Sequence, residues 1–184
     1  MHFKKTYIIL LVILAFGIQS LSFGKYFFYG ATYDVCFTPG ENCAVKIIQA
    51  INQAKKQILV QAYVFSDFSI ARALVAAKKR GVVVRIILDK SQLKGKYTLI
   101  NFFKKHKINL VIDYVPGIAH NKIIIIDNNT VITGSYNYTY SAARRNAENL
   151  LIIRDTEFAR EYINNWYKRE RTTFFSKCST KKKQ

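Results

Sequence analysis

Short β-branched runs alternate with amphipathic stretches from residue 34 onward, and this alternation limits the possible fold more than any other feature of the chain. It predicts an α/β domain, a mixed β-sheet flanked by helices. The strand candidates are 34–37, 57–65, 82–88, 108–112, 122–126, 130–134 and 149–153. The helix candidates are 44–55, 68–80, 97–105 and 156–169, with Ser66 or Asp67 as an N-cap for the second and Gly81 as its stop. Ile70, Ala73, Leu74 and Ala77 form the core stripe of one helix, and Phe158, Tyr162 and Trp166 that of another.

At 184 residues the chain has room for one domain of ordinary size, and residues 34–170 contain it. Residues 23–33 read as a linker and residues 171–184 as a disordered basic tail with Lys181, Lys182 and Lys183. Residues 1–22 read as a signal peptide or an N-terminal membrane anchor: Lys4 and Lys5 precede an apolar run from Tyr7 to Ile18, followed by small residues. That reading delivers the domain to the far side of a membrane, as a periplasmic or membrane-associated protein. Cys36 and Cys43 bracket a Pro-Gly loop and can join in an oxidising compartment, a closure worth about 2.5 kcal/mol. Cys178 is left over, free or linking two chains.

Charge narrows the partners. There are 29 Lys and Arg against 11 Asp and Glu, a formal net charge of +18, and residues 1–22 contribute only Lys4 and Lys5 to that excess. A field of this sign favours polyanions, either nucleic acid or an anionic membrane surface. The cluster Lys78, Lys79, Arg80 sits where a helix dipole welcomes cations and reads as structural.

The residues that carry chemistry are His120, Lys122 and Asp127, then Gly134, Ser135 and Asn137, then Glu148. Alternate side chains of an extended segment share a face, so His120 and Lys122 point the same way, roughly 6 to 7 Å apart along the strand. Ser135 and Asn137 repeat the spacing, and an Asn128-Asn129 turn folds the two segments into a hairpin. Cleaving a phosphodiester needs a nucleophile, cations and donors for the phosphoryl oxygens, and an acid for the departing alkoxide. Neutral imidazole at His120 suits the first role; Lys122 balances charge, while Ser135 and Asn137 donate hydrogen bonds. Glu148 is placed to hold the other nitrogen of His120, or else to pair on the surface with Arg144 or Arg145. Asp127 adjoins the turn, where aspartate caps backbone donors.

This pattern resembles the HxK(x)4D and GSxN motifs of the phospholipase D superfamily, and residues 34–170 resemble its small single-motif bacterial endonucleases of the Nuc and NucT type. The resemblance implies an α/β/α sandwich, a phosphohistidine intermediate on His120, a structural role for Asp127, and no metal or other cofactor. The superfamily mechanism uses two histidines, one attacking phosphorus and one protonating the leaving oxygen. His2 lies in the export segment, and His106 is followed by Lys107 and Ile108 rather than x-Lys. The resemblance therefore implies a homodimer whose site straddles the two-fold axis.

For substrate, charge points to nucleic acid, single-stranded DNA above all, with Tyr136, Tyr138, Arg144 and Arg145 as binding candidates; the alternating Tyr136, Tyr138 and Tyr140 suit either base stacking or packing in or near the core. The competing readings are a lipid phosphodiester and a non-catalytic DNA-capture protein.

Overall fold

The computed structural model describes residues 24–27 and 29–181, with side chains through residue 174. Residues 1–23, which include the segment read above as a signal peptide or anchor, the side chain of Cys178 and the chain end beyond Lys181 lie outside the described residues. Seven strands form one sheet: β1 (Thr32–Thr38), β2 (Gln57–Ala62), β3 (Val83–Asp89), β4 (Asn109–Asp113), β5 (Lys122–Ile126), β6 (Thr130–Gly134) and β7 (Glu148–Arg154), in the order β1-β7-β6-β5-β2-β3-β4. The sheet is mixed. β2, β3 and β4 run parallel, and every other neighbouring pair is antiparallel.

Among the described residues five α-helices complete the sandwich: α1 (Cys43–Gln53), α2 (Phe68–Lys79), α3 (Ile100–Lys105), α4 (Tyr140–Arg144) and α5 (Thr156–Lys181). Residues of α1 to α4 pack with Val60, Ile86, Ile124, Ile126, Ile132 and Leu150 on one face. On the opposite face Ala159 and Trp166 of α5 pack with Leu59, Ile87, Ile123, Ile125 and Val131. The four isoleucines of β5 thus serve both faces, which is why a central strand reads as an unbroken apolar run. The α5 layer is also pinned by polar contacts. Trp166 Nε1 donates to Val60 O at 3.0 Å, Arg169 Nε to Asp113 at 2.6 Å, and Arg85 to Glu170 at 2.5 Å.

Asp67 caps α2, accepting from the N–H groups of Ser69 and Ile70. Lys78 donates to the carbonyls of His106 and Lys107, and Arg80 donates to Ile51 O, so these cations hold neighbouring elements together. The Cys36–Cys43 disulfide is present, with both residues buried.

Several boundaries differ from the sequence reading: β2 stops at Ala62, α3 starts at Ile100, the short α4 is not among the helix candidates, and three further differences shape the sheet and its cover. β1 starts at Thr32, because Thr32 and Tyr33 pair with Arg154 and Ile153 and so belong to the sheet rather than to a linker. α5 continues to Lys181 instead of giving way to a disordered tail at residue 171; buried Thr173, whose hydroxyl donates to Asp113, extends its packed side. The β5–β6 turn is centred on Asp127 and Asn128, at φ 49° and 64°, and Asn129 N–H closes it on Ile126 O. That is the geometry of a type I′ hairpin, one residue earlier than the Asn128-Asn129 pair.

Candidate active site

The register brings the chemistry to one edge of the sheet. β2 and β3 end there at Ala62 and Asp89, β5 starts there with Lys122 opposite Ala62, and β6 ends there with Gly134 opposite Leu150, beside Glu148 at the start of β7. Ligands of open α/β sheets gather where parallel strands end.

His120 is exposed, and Lys122 is buried at 7% exposure. The Lys122 ammonium donates to His120 O at 2.6 Å and lies 3.0 Å from His120 Nδ1. Burial lowers its pKa below the ordinary lysine range, and the Glu148 carboxylate works in the opposite direction. An ammonium only donates, so in this arrangement Nδ1 accepts and a neutral ring carries its proton on Nε2. Attack through Nε2 needs that proton moved to Nδ1 and the lysine contact opened, and the acid role needs a ring protonated on both nitrogens, which opens the contact as well.

Tyr63 completes the wall of the site. Its ring lies against His120, centroids 4.6 Å apart and planes tilted by 52°, and 5.4 Å from the Lys122 ammonium, and its backbone N–H donates to Asn121 O. Nothing in the sequence singled it out, since only the β2–β5 pairing brings residue 63 beside residue 120.

Gly134 lets β6 and β7 meet closely: its φ is +142°, and a Cβ there would lie 2.2 Å from Asn149 O. Beyond it, Ser135 N–H donates to Asn149 O at 3.1 Å and Ser135 Oγ donates to Glu148 at 2.5 Å. Asn137 is half-buried, with an Oδ1 that has no protein partner among the described residues. Ser135 is exposed and Asn137 half-buried, whereas the alternating Tyr136 and Tyr138 turn into the core, both at 0% exposure. This corrects the reading of those two tyrosines as base-stacking candidates: their rings hold the loop down, and Tyr138 O accepts from Ser66 and Asp67 N–H. Burial raises the pKa of both phenols, so both stay neutral.

Glu148 also departs from expectation. Its carboxylate receives Ser135 Oγ and Asn146 Nδ2, the latter at 2.9 Å, and neither His120 nor Arg144 or Arg145. It therefore orients the GSxN loop within one chain and does not fix the imidazole tautomer there. Arg144 and Arg145 are exposed, the latter 5.7 Å from the Tyr140 ring. Asp127 lies in the turn, at the other end of β5, and accepts from the N–H groups of Lys55, Lys56 and Gln57 at 2.6, 2.7 and 3.0 Å. An open cleft of about 410 Å³ lies beside the histidine, lined by His120, Lys122, Thr133, Glu161, Tyr162 and Asn165.

An exposed imidazole beside a buried lysine, at an edge that also carries the Ser135 hydroxyl and an Asn137 amide oxygen without a protein partner among the described residues, defines a phosphodiesterase of the single-HKD class. The family model described as "Cardiolipin synthase, PLD-like domain" matches residues 47–169, and the chain belongs to this family, within the phospholipase D superfamily of phosphodiester hydrolases. A "Phospholipase D" of Rickettsia prowazekii is 50% identical over 138 residues, covering 75% of this chain and 67% of that protein. The human "Mitochondrial cardiolipin hydrolase" is 31% identical over 127 residues, covering 69% of this chain and 50% of that protein. Among solved structures, Nuc of Salmonella typhimurium, a phospholipase D family member, superposes with a TM-score of 0.73 at 35% identity, covering 77% of this chain and 95% of that one.

Proposed function

We propose that this chain is an exported endonuclease that hydrolyses DNA or RNA phosphodiesters, favouring single strands, without a metal, at a site assembled from two copies of the chain. The observation that carries the substrate class is charge: 29 Lys and Arg against 11 Asp and Glu. A long polyanion gains from many basic contacts, whereas one lipid headgroup needs few.

The chemistry follows from the site. A ring nitrogen of His120 attacks phosphorus, and the N–P bond forms as the bond to the leaving oxygen breaks. A second imidazole gives that oxygen its proton, then takes one from the water that hydrolyses the phosphohistidine. Lys122 and the Ser135 and Asn137 side chains receive the phosphoryl charge. His106, the other histidine among the described residues, packs at a tilt against Phe102 at the end of α3 and does not line this cleft. A second copy of His120 is the remaining source, so the two identical rings divide neutral and cationic roles, and a bell-shaped pH profile follows.

Mixing wild type with His120→Ala chains tests the shared site. Activity falls faster than the wild-type fraction if both rings are needed, and a linear fall defeats the idea.

A lipid phosphodiester is the second reading. It is favoured by the names of the relatives and by four exposed aromatics, Tyr26, Phe27, Tyr29 and Tyr33, that follow the apolar segment. Aromatic rings at such a position suit a membrane interface, which also supports retention at a membrane. Incubation with labelled oligonucleotide in EDTA separates the readings: cleavage supports the nuclease, retention without cleavage supports capture, and neither leaves the lipase.

A further inference from the structure

Besides the short loops at residues 39–42 and 63–67, which carry Glu41 and Asp67, three loops leave the catalytic edge around His120, at residues 90–99, 114–121 and 135–147, and these three contain Lys90, Lys94, Lys96, Arg144 and Arg145 but no Asp or Glu. Two of them present a tyrosine with a cation against its ring. Tyr97 is 71% exposed, with Lys96 Nζ 5.4 Å from the ring centre; Tyr140 is 64% exposed, with Arg145 Cζ at 5.7 Å. We propose that these two cation–aromatic pairs flank the catalytic centre as the stacking platforms of a track for single-stranded nucleic acid. The proposal rests on the nuclease reading above and deepens it.

Both platforms are tied to the chemistry by their roots. At the end of β3 the buried Asp89 accepts from Ala119 N–H at 2.7 Å and from Ser91 N–H at 2.8 Å, joining the base of the Lys96–Tyr97 loop to the residue before His120. On the other side Glu148 binds Ser135 and Asn146, which closes the loop that carries Tyr140 and Arg145. The core tyrosines of that loop, Tyr136 and Tyr138, are unavailable, whereas a ring exposed by two thirds with a cation beside it leaves surface free for a base. Stacking of this kind is tolerant of sequence, and the cations on these loops follow the backbone. A duplex keeps its bases inside the stack and offers these rings nothing.

The test uses the full chain and two substrates, a labelled oligothymidylate of about 20 nucleotides, long enough to span such a track, and bis(4-nitrophenyl) phosphate, too small to do so. Tyr97→Ala and Tyr140→Ala should each raise KM for the oligonucleotide about tenfold, and Tyr→Phe at either position should restore it, since the π-face is what matters. For Tyr97→Ala, kcat on the small diester should hold. Wild-type cleavage of the oligonucleotide establishes the underlying reading independently of the variants. Unchanged KM in both alanine variants then overturns the track alone, as does a parallel fall of small-diester kcat, which would mark the loop as merely structural. Weakened binding of Tyr97→Ala to phosphatidylglycerol vesicles with an unchanged oligonucleotide KM would overturn it in favour of a membrane surface. A wild-type chain that hydrolyses the small diester and ignores the oligonucleotide sinks both readings.

Discussion

The two ends of the β5–β6 hairpin are built on opposite principles. At the turn, Asp127 meets three backbone N–H groups, and the chain adopts the two left-handed conformations that aspartate and asparagine tolerate best. At the catalytic end a lysine is buried with its charge opposed by desolvation, an asparagine oxygen lacks a protein partner, and two strands approach so closely that only glycine fits. The same few residues of strand separate satisfied polar groups from frustrated ones. Stability is concentrated at one end, and the other tolerates groups arranged for a phosphate rather than for the fold.

The sharpest way to break this comparison is to remove the catalytic end's own chemistry. His120→Ala should cost on the order of 10⁴-fold in kcat, as loss of a nucleophile does. Because His120 is exposed, the thermal midpoint should stay within a few degrees of wild type. A variant that unfolds early would mean the histidine supports the fold, and the two ends would not differ as described.

Lys122→Met should reduce kcat/KM about a hundredfold, in line with losing one charge-stabilising group. Its effect on stability has the opposite sign from most core substitutions. Burial lowers the folded-state pKa, so the unfolded chain binds the proton more tightly, and protonated Lys122 opposes folding below that pKa. Methionine should therefore leave unfolding free energy at pH 7 equal or higher, measured by urea titration. In the wild type, activity should fade with rising pH before the ordinary lysine range near 10.4 is reached.

Gly134→Ala should lower stability by about 2.5 kcal/mol, since a Cβ 2.2 Å from a carbonyl oxygen forces β6 and β7 apart at an unfavourable φ. Ser135 moves with that strand, so activity per folded molecule should fall too. Loss of stability with full specific activity would show that the loop tolerates the displacement.

Much of this was legible in the sequence because local pattern and global packing agree. The strands at 122–126 and 130–134 were bounded correctly, since an isoleucine run with turn residues behind it has few other solutions. What failed was direction. Ser135 and Asn137 were put on one face by alternation, and the same alternation commits Tyr136 and Tyr138 to the opposite, inner face, so of the two readings open for them, stacking and core packing, the second holds. Glu148 was assigned to His120 because both belong to one motif set; its real partners follow from the β6–β7 register, which brings Glu148 and Asn149 alongside Ser135. Tyr63 lay beyond reach for a similar reason, since a β2–β5 neighbourhood is a property of sheet order and not of spacing.

The turn supplies the smallest effect. Burial raises the Asp127 carboxyl, but the N–H groups of Lys56, Lys55 and Gln57 outweigh it and hold the pKa below its usual value. A depressed carboxylate pKa means the unfolded chain binds the proton more readily, so this contribution is present above about pH 4 and is lost as pH falls through the folded value. Asp127→Ala should cost about 2 kcal/mol at pH 7, through three lost charge-assisted bonds and a left-handed residue without its side chain. Asp127→Asn, which keeps an acceptor and tolerates the same φ, should cost about 1 kcal/mol. Both gaps should shrink toward acid, and chemical denaturation at neutral pH and near pH 3 measures them. A gap that stays constant with pH would assign the stabilisation to turn conformation rather than to the carboxylate. If specific activity of the folded Asp127→Asn chain stays near wild type while its stability drops, the aspartate of the HKD triad works at a distance, by fixing the strand that carries His120 and Lys122.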